Sequence, residues 1–575
     1  MTEADRQIFE CIDSRTSFLL DAGAGSGKTS SLISALNHIR SAKRTQLLQS
    51  SQHIACITFT NVAKDEIIDR TENDAVLHVL TIHDFLWRAI RGFQKDLKPA
   101  LLAFNDELPA QSRRKQDAEE LRKALATVDE IRYSDLGANF LEGRIFHDDL
   151  LGVAHTMFRS HPKLSQIVAS RYPFILVDEY QDTNEKVISI LMEHLFTTKN
   201  APVLGFFGDK FQSIYSEVIG EMPAQFQALL RVIKKEENYR CSRAVIRLLN
   251  RIRTDIQQVP AGENMEGTAR YLNLPAIDQR GDLIAAAMDA IQKKFGAKFG
   301  TDPKTLFLTH RLIARRAGYE TLWNVYNTLG SFSRERFQSG QDPAASFLCN
   351  PVDALIDAWG GGRKGYAISL LVKAWQRETL GGATESRWNL AANLAEKSEK
   401  QRVQNTLDTL VRLANSDASI HDVLKLMREN ALIPLLDDLE QGMNGDQPPA
   451  EPGSPEQEHQ VFIASLLKVP YREISLYRAV LENNLPYSTK HGVKGAEFDN
   501  VLVVLDDAGA NWNQYSFSRL LTGSETNDAR LRRTRNLFYV CCSRAKVNLA
   551  VVDLGAQKGN QQAIEQLFGA GNVAF

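Results

Sequence analysis

Residues 22–29 read Ala-Gly-Ala-Gly-Ser-Gly-Lys-Thr, and this stretch with its flanks decides the fold class. An apolar run, 17–20, precedes it, and a helical pattern, 31–36, follows it. Strand, glycine-rich turn and helix in this order are typical of a phosphate-binding loop. Glycines let backbone N–H groups approach phosphate oxygens, and the new helix adds the positive end of its dipole. We therefore expect an α/β fold with a nucleotide phosphate bound at this loop.

Two side chains of the loop carry separate predicted roles. Lys28 is expected to pair with the β- and γ-phosphates of ATP, and Thr29 to hold Mg²⁺ through its hydroxyl. Ala22 stands where such loops usually begin with glycine. A glycine-rich turn with an accidental Gly-Lys-Thr is the alternative. The predicted nucleotide-contacting residues are Ala22, Gly23, Ala24, Gly25, Ser26, Gly27, Lys28 and Thr29.

A second segment supplies acid at the end of a strand. The run 174–177 is fully apolar and leads into Asp178 and Glu179. Such runs suit a buried parallel strand, whose carboxyl end faces the nucleotide crevice. Asp178 is expected to bind Mg²⁺, and Glu179 to polarise the attacking water. A solvated acidic loop after a core strand is the alternative.

Composition bounds the class of protein. The 575 residues suggest about three or four domains. No run of 18 apolar residues predicts a membrane span, and the polar N-terminus does not resemble a signal peptide. Six cysteines without a CxxC pair favour a reduced, cytoplasmic protein lacking zinc or iron–sulfur sites. The protein has a net charge of −2, so any DNA would have to bind in a groove that is locally basic. Basic clusters such as 530–535 could line such a groove, and the alternative is that they form solvated faces.

Further short segments follow in order along the chain. They are Gln7, Ile57-Thr-Phe-Thr-Asn61, Thr81-Ile-His83-Asp-Phe85, Gly208-Asp209-Lys-Phe-Gln212-Ser-Ile-Tyr215, Asn238-Tyr239-Arg240, Ser488-Thr-Lys-His491-Gly-Val-Lys494-Gly-Ala-Glu497-Phe498 and Asn536-Leu-Phe-Tyr539-Val-Cys-Cys-Ser543-Arg544-Ala545. In this order they resemble the superfamily-one DNA helicases of the UvrD/Rep/PcrA type.

The resemblance implies roles for six residues at the nucleotide. They are Gln7 reading adenine, Tyr239 packing on adenine, Glu497 bonding ribose, Gln212 sensing the γ-phosphate, and Arg240 and Arg544 reaching the γ-phosphate. Arginines inserted from the far side of a cleft stabilise charge on the transferring phosphoryl group. An ordinary surface salt bridge is the alternative for each arginine.

The same resemblance implies a path for single-stranded DNA. It assigns DNA contacts to Phe59, Asn61, His83, Tyr215 and His491. One departure weakens the match, because Glu217 stands where the family commonly has an aromatic residue that stacks a base. Such stacking contributes about 1–3 kcal/mol per base. The basic run 530–535 also replaces acidic residues of the family.

The implied architecture is two RecA-like, parallel-sheet P-loop cores, each with a helical insertion. We predict the first core over 1–87 and 145–250, with its insertion over 88–144. The second core is predicted over 251–350 and 455–575, with the insertion and a linker over 351–454. The strand pattern at 303–308 is expected to open the second sheet.

The leading functional hypothesis is an ATP-dependent helicase or translocase on single-stranded DNA, moving 3′ to 5′ by the resemblance, with ATP and Mg²⁺ as cofactors. The alternative is a DNA-stimulated sensor or regulatory ATPase beside a protein partner such as a nuclease, as in compact antiphage helicases including the Gabija helicase subunit. A P-loop ATPase that ignores nucleic acid is the third hypothesis. No membrane partner is expected.

Overall fold

The structure is a computed structural model. It describes residues 1–110, 112, 114–134, 138–214, 218–274, 283–296, 299, 303–307, 310–379, 397–445, 453–482, 487–488, 496–507, 515–555 and 561–575. Tyr215, Glu217 and His491, which the sequence places along the DNA path, lie outside these residues.

Two parallel sheets organise these residues. The strands are β1 (Phe18–Ala22), β2 (Ile54–Thr58), β3 (Leu77–Thr81), β4 (Arg132–Tyr133), β5 (Arg144–Ile145), β6 (Phe174–Asp178), β7 (Val203–Gly208), β8 (Arg231–Lys235), β9 (Glu237–Asn238), β10 (Val259–Pro260), β11 (Thr268–Asn273), β12 (Lys304–Phe307), β13 (Tyr487–Ser488), β14 (Phe498–Leu505), β15 (Ala545–Asp553) and β16 (Val573–Ala574). Helices cover the faces of both sheets, as parallel sheets require.

The helices alternate with the strands along most of the chain. They are α1 (Glu3–Asp13), α2 (Lys28–Gln49), α3 (Asn61–Arg70), α4 (Ile82–Ile90), α5 (Gln94–Glu107), α6 (Ala118–Thr127), α7 (His147–Ser160), α8 (Pro162–Arg171), α9 (Glu185–Ser189), α10 (Ala224–Gln227), α11 (Arg243–Ile252), α12 (Leu283–Phe295), α13 (His310–Ala317), α14 (Glu320–Asn327), α15 (Ser331–Gln338), α16 (Pro343–Phe347), α17 (Ala354–Gly360), α18 (Lys364–Thr379), α19 (Lys397–Ala414), α20 (Ile420–Glu429), α21 (Asp437–Asn444), α22 (Pro455–Leu467), α23 (Arg472–Leu481), α24 (Phe517–Thr522), α25 (Asp528–Cys542) and α26 (Gln561–Phe568).

The first sheet has the strand order β3-β2-β6-β7-β1-β8, and every pairing in it is parallel. The strand β1 lies between β7 and β8, and all five of its residues are buried. Continuous apolar runs therefore form strands covered on both faces, as the sequence predicts. The carboxyl ends of β1, β6 and β7 bring the segments after 22, 178 and 208 to one edge.

The second sheet has the order β13-β12-β14-β15-β11-β16 and is also wholly parallel. The prediction that 303–308 opens this sheet is wrong, because β11 belongs to the same sheet and begins at Thr268, 36 positions before β12 begins at Lys304. A charged residue, Arg270, interrupts the apolar pattern of β11, and this hides the strand in the sequence. Two parallel sheets nonetheless confirm the predicted fold class.

Helical segments pack into the same cores as the sheets. Leu97 and Leu101 of α5 and Leu121 of α6 share one cluster with Ile57 and Val177 of the first sheet. The helices α17 and α19–α23 share a cluster with one face of the second sheet. Helix α11 packs on the other face of the second sheet, although the predicted boundary at 250 places it with the first core. The domain boundaries stay predictions.

No helix among the described residues is long and apolar enough to cross a bilayer. All six cysteines are buried, and burial raises the pKa of Cys241 to about 11.

Candidate active site

The phosphate loop joins β1 to α2 through two left-handed glycines. Gly25 has φ +74° and Gly27, which caps α2, has φ +79°. A Cβ added at Gly25 would lie 2.8 Å from Cβ of Arg240 and 2.9 Å from Oδ1 of Asn238. Glycine is therefore required at position 25 both for its backbone conformation and for the close approach of a second segment.

Two residues to which the sequence analysis assigns no role hold the loop backbone. Gln258 donates from Nε2 to the carbonyl of Ala24 at 2.8 Å, and Asn238 donates from Nδ2 to the same carbonyl at 2.9 Å. The backbone N–H of Ala24 donates to Oη of Tyr539 at 3.0 Å. The loop is thus fixed from beyond the first sheet, by partners more than 200 residues away in sequence.

Lys28 and Glu179 form an ion pair at the centre of the site. Nζ of Lys28 lies 2.7 Å from Oε2 of Glu179, and Gln181 donates to the same oxygen at 2.6 Å. Glu179 has φ +50° and ψ +48°, a left-handed conformation that costs a non-glycine residue on the order of 1 kcal/mol or more. This strained conformation belongs to the carboxylate that the sequence assigns to water activation.

The loop fits a phosphate and its metal. Oγ of Ser26 is buried and has no hydrogen-bond partner among the described residues, so it can serve a phosphate oxygen. Asp178, nearly buried, ends β6 beside Glu179. No group of three or more His, Cys, Asp or Glu suited to a metal occurs in the described part of the chain. Mg²⁺ needs none, since it is usually held by one or two protein ligands, waters and substrate phosphates.

Arg544 reaches the first sheet from the second. Its side chain is 1% exposed, and Nη2 lies 3.4 Å from Oε1 of Gln212, to which it donates. Its Nε donates to the carbonyl of Val540 at 3.0 Å. Burial, followed by the charge of Arg240, lowers the pKa of Arg544 to about 10, whereas Glu179 opposes that shift. The guanidinium therefore stays charged at neutral pH, and the charges of both Arg240 and Glu179 act on it.

Arg240 and Glu497, predicted to contact different parts of ATP, are paired with each other. Nε of Arg240 lies 2.6 Å from Oε2 of Glu497. The backbone N–H of Tyr239 donates to the carbonyl of Gly25 at 2.9 Å, and the side chain of Tyr239 is 51% exposed. Gln7 donates to Glu3 on its own helix at 2.9 Å. The structure therefore brings Arg240 and Tyr239 to the loop, while the side chain of Gln7 donates to a neighbour on its own helix.

The predicted DNA contacts lie after β2 and β3. Asn61 is exposed at the start of α3, and Phe59 packs partly on the core beside it. His83 on α4 stacks on Tyr133 at 6.4 Å between ring centroids and lies 4.9 Å from His147. Burial, followed by the charge of His147, lowers the pKa of His83 to about 4, whereas the charges of Asp148 and Asp84 raise it. A neutral imidazole at pH 7 can still donate to a phosphate.

Replacing His83 with glutamine is expected to make the protein less sensitive to acid. An unfolded imidazole binds a proton below about pH 6.5, but His83 in the fold does so only below about 4. Between these values the unfolded chain binds more protons, so acidification favours unfolding. On going from pH 7 to pH 5 by urea titration, His83→Gln should lose about 2 kcal/mol less than the parent. His421→Gln, at a side chain 40% exposed on α20, is the control. If both variants lose the same free energy of unfolding between pH 7 and pH 5, His83 is not the source of the acid sensitivity.

The sequence of this chain is similar to those of known proteins. A family described as an AAA domain matches residues 5–217. The chain is 26% identical to Gabija protein GajB of Bacillus cereus (strain HuB5-5), in an alignment that covers 98% of this chain and 96% of that protein. It is 27% identical to ATP-dependent DNA helicase UvrD1 of Mycobacterium tuberculosis, covering 41% of this chain and 37% of that protein. A probable DNA helicase II homolog of Rickettsia felis is 28% identical, covering 40% and 41%.

The relatives agree with the arrangement of the site. The helicase matches and the family match both imply nucleotide binding and hydrolysis, and the near-full-length match extends the likeness across both sheets. The phosphate loop belongs to the first sheet, and the arginines that face it belong to segments packed with the second sheet. This arrangement fits an ATP-hydrolysing helicase. The chain is similar to UvrD-like DNA helicases over part of its length and to a Gabija protein over nearly all of it, and it is an ATP hydrolase of the DNA-helicase type.

Proposed function

We propose that this protein moves on single-stranded DNA, in the 3′ to 5′ direction, by ATP-driven closure of its two sheets on one nucleotide. The contact that carries the proposal is Arg544 to Gln212, at 3.4 Å between Nη2 and Oε1, because it joins the closing segment of one sheet to the coupling segment of the other. Such a contact can change with the state of the γ-phosphate.

The nucleotide side of the mechanism follows from the site. Lys28 would leave Glu179 to pair with the β- and γ-phosphates, and this release would free the carboxylate to orient the attacking water. Thr29 and Asp178 would hold Mg²⁺, which neutralises phosphate charge when bound. Arg240 would exchange Glu497 for the γ-phosphate, leaving Glu497 to accept a hydrogen bond from ribose.

Movement along DNA requires that the open and closed states bind the DNA strand with different affinities. If both states bound it equally, closure would not displace the protein along the strand. The segments at Phe59, Asn61 and His83 lie on the first sheet's side. Asn536 of α25 donates to the carbonyls of Lys210 and Ser213, each at 3.1 Å, which precede Tyr215 by five and two positions in the sequence. A shift of α25 during closure would therefore move the coupling segment toward or away from the strand.

A partial-duplex assay tests this function. ATP turnover should rise when single-stranded DNA is added, and a duplex with a 3′ tail should be unwound faster than one with a 5′ tail. Glu179→Gln, which keeps a side chain of the same length without the charge, should bind ATP and DNA but unwind nothing. Equal unwinding of both tails overturns the direction, and ATP turnover indifferent to DNA overturns the function.

A second function is favoured by the extent of similarity. The match to GajB covers nearly both whole proteins, whereas the helicase matches cover about 40% of each. This supports a DNA-stimulated regulatory ATPase of the cytoplasm, working beside a protein partner such as a nuclease in defence or repair. DNA binding and stimulated ATP turnover without unwinding would select it over the translocase.

A further inference from the structure

Arg253 is a fully buried arginine on the connector between the two sheets, directly after α11. Its side chain is 1% exposed, and its guanidinium binds three carboxylates. The distances are 3.1 Å from Nη2 to Oδ1 of Asp21, 2.8 Å from Nη1 to Oδ1 of Asp209 and 2.8 Å from Nε to Oδ1 of Asp255. Asp21 lies in β1 and Asp209 follows β7, so one side chain joins two strand ends at the nucleotide edge.

The guanidinium also contacts the base of the phosphate loop. Its Nη1 donates to the carbonyl of Ala22 at 3.4 Å, at the residue where β1 enters the loop. Its Cζ lies 4.9 Å from the ring centroid of Phe211 and 5.9 Å from that of Tyr539. Tyr539 is the residue whose hydroxyl accepts from Ala24 of the loop. Arg253 therefore supports the loop both directly and through a ring of α25.

Asp209 passes this support to the reacting groups along two branches. Its Oδ2 accepts from Nε2 of Gln212 at 2.8 Å, and Gln212 in turn accepts from Arg544. Its backbone N–H donates to Oε1 of Gln181 at 3.1 Å, and Gln181 binds Glu179. One branch thus ends at Arg544 and the other at the Lys28–Glu179 pair.

The carboxylates around Arg253 require a guanidinium group at this position. Burial raises the pKa of Asp21 to about 6, against the charge of Arg253. Burial opposes the charge on Arg253, but Asp209 and its companions raise the pKa of the guanidinium above its ordinary value. A planar fork with donors on three nitrogens can hold three carboxylates at fixed separations, which a lysine ammonium on a flexible stem cannot do.

We propose that Arg253 is a positioning residue that sets the separation between the phosphate loop and the γ-phosphate-sensing Gln212. It acts through Asp21, Ala22 and Asp209 and touches no reactant itself. Because it lies on the connector, it also places the sensing group relative to the second sheet. The proposal deepens the proposed ATPase cycle and rests on it.

The test is the variant Arg253→Lys in the full-length chain, with Arg270→Lys as its matched control. Arg270 is buried in β11 and lies 4.7 Å from the ring of Phe295, outside this network. For Arg253→Lys we expect kcat for ATP to fall roughly tenfold or more, with KM changed less than about threefold, both with and without single-stranded DNA. Arg270→Lys should keep both constants.

Each outcome of this experiment supports or overturns the proposed role of Arg253. A lowered melting temperature with unchanged kcat for the folded protein would make Arg253 merely structural and overturn the proposal. If Arg253→Lys does not fold, Asp209→Asn carries the test with the same expected fall in kcat, and an unchanged kcat there overturns it. A parent enzyme whose turnover ignores DNA overturns the proposed function alone, since kcat without DNA still reports on Arg253.

Discussion

Replacing Lys28 with alanine is expected to lower ATP turnover, with and without DNA, by a factor on the order of 10²–10³ or more. The ammonium is the charged group of the phosphate loop, and Nζ lies 2.7 Å from the carboxylate of Glu179. Its loss removes the cation expected at the β- and γ-phosphates and leaves Glu179 without its ion-pair partner. Turnover is measured by phosphate release over a range of ATP concentrations.

Lys43→Ala is the matched control for this change, because Lys43 lies on the same helix, α2, away from the loop. It should turn over ATP as the parent does. Circular dichroism must show that both variants fold. A folded Lys28→Ala protein that hydrolyses ATP at the parent rate would contradict the assignment of the site.

Replacing Arg544 with lysine is expected to lower kcat by roughly 10³-fold, with KM for ATP changed only a few-fold. The reason is geometric, since lysine keeps a charge but not the planar set of donors that reaches Gln212, Val540 and Ala496 together. A pKa of about 10 means that the parent guanidinium remains protonated up to about pH 9. Deprotonation of Arg544 should therefore not lower the parent's kcat between pH 7 and pH 9.

Arg532→Lys provides the control on α25, where Arg532 is exposed. It should leave both constants near the parent values. If Arg544→Lys instead raises KM and spares kcat, Arg544 contributes to binding the ground state and not to the transition state. Such a result would remove the arginine from the catalytic group while leaving the phosphate loop intact.

The fold class was predictable because its signals are local. The run 174–177 followed by Asp178 and Glu179 describes a buried strand and its end, and the phosphate loop describes its own turn and helix. These features need no knowledge of distant contacts. The resemblance to UvrD-like helicases added the order of the segments, and the relatives bear out that resemblance.

The residues that sequence reasoning missed act at long range. Gln258 lies in the polar stretch 254–258, which is typical of a solvated connector, yet it binds Ala24 more than 200 residues earlier. Arg253 follows Arg251 at the end of an amphipathic helix and would usually face water. Only the approach of the connector to β1 and β7 buries it among carboxylates. The pairing of Arg240 with Glu497 was also invisible, since the two lie 257 positions apart.

The position of β11 within the second sheet has a consequence for synthesis on the ribosome. Its residues pair with β15 and β16, which are translated about 280 and 300 residues later. At roughly 5–20 residues per second, β11 must wait on the order of a quarter of a minute to one minute for these neighbours. The first sheet, whose strands lie between residues 18 and 235, can assemble long before that. During this interval a nascent chain would carry a phosphate loop that still lacks its hydrogen bond to Tyr539, and the site would still lack Arg544.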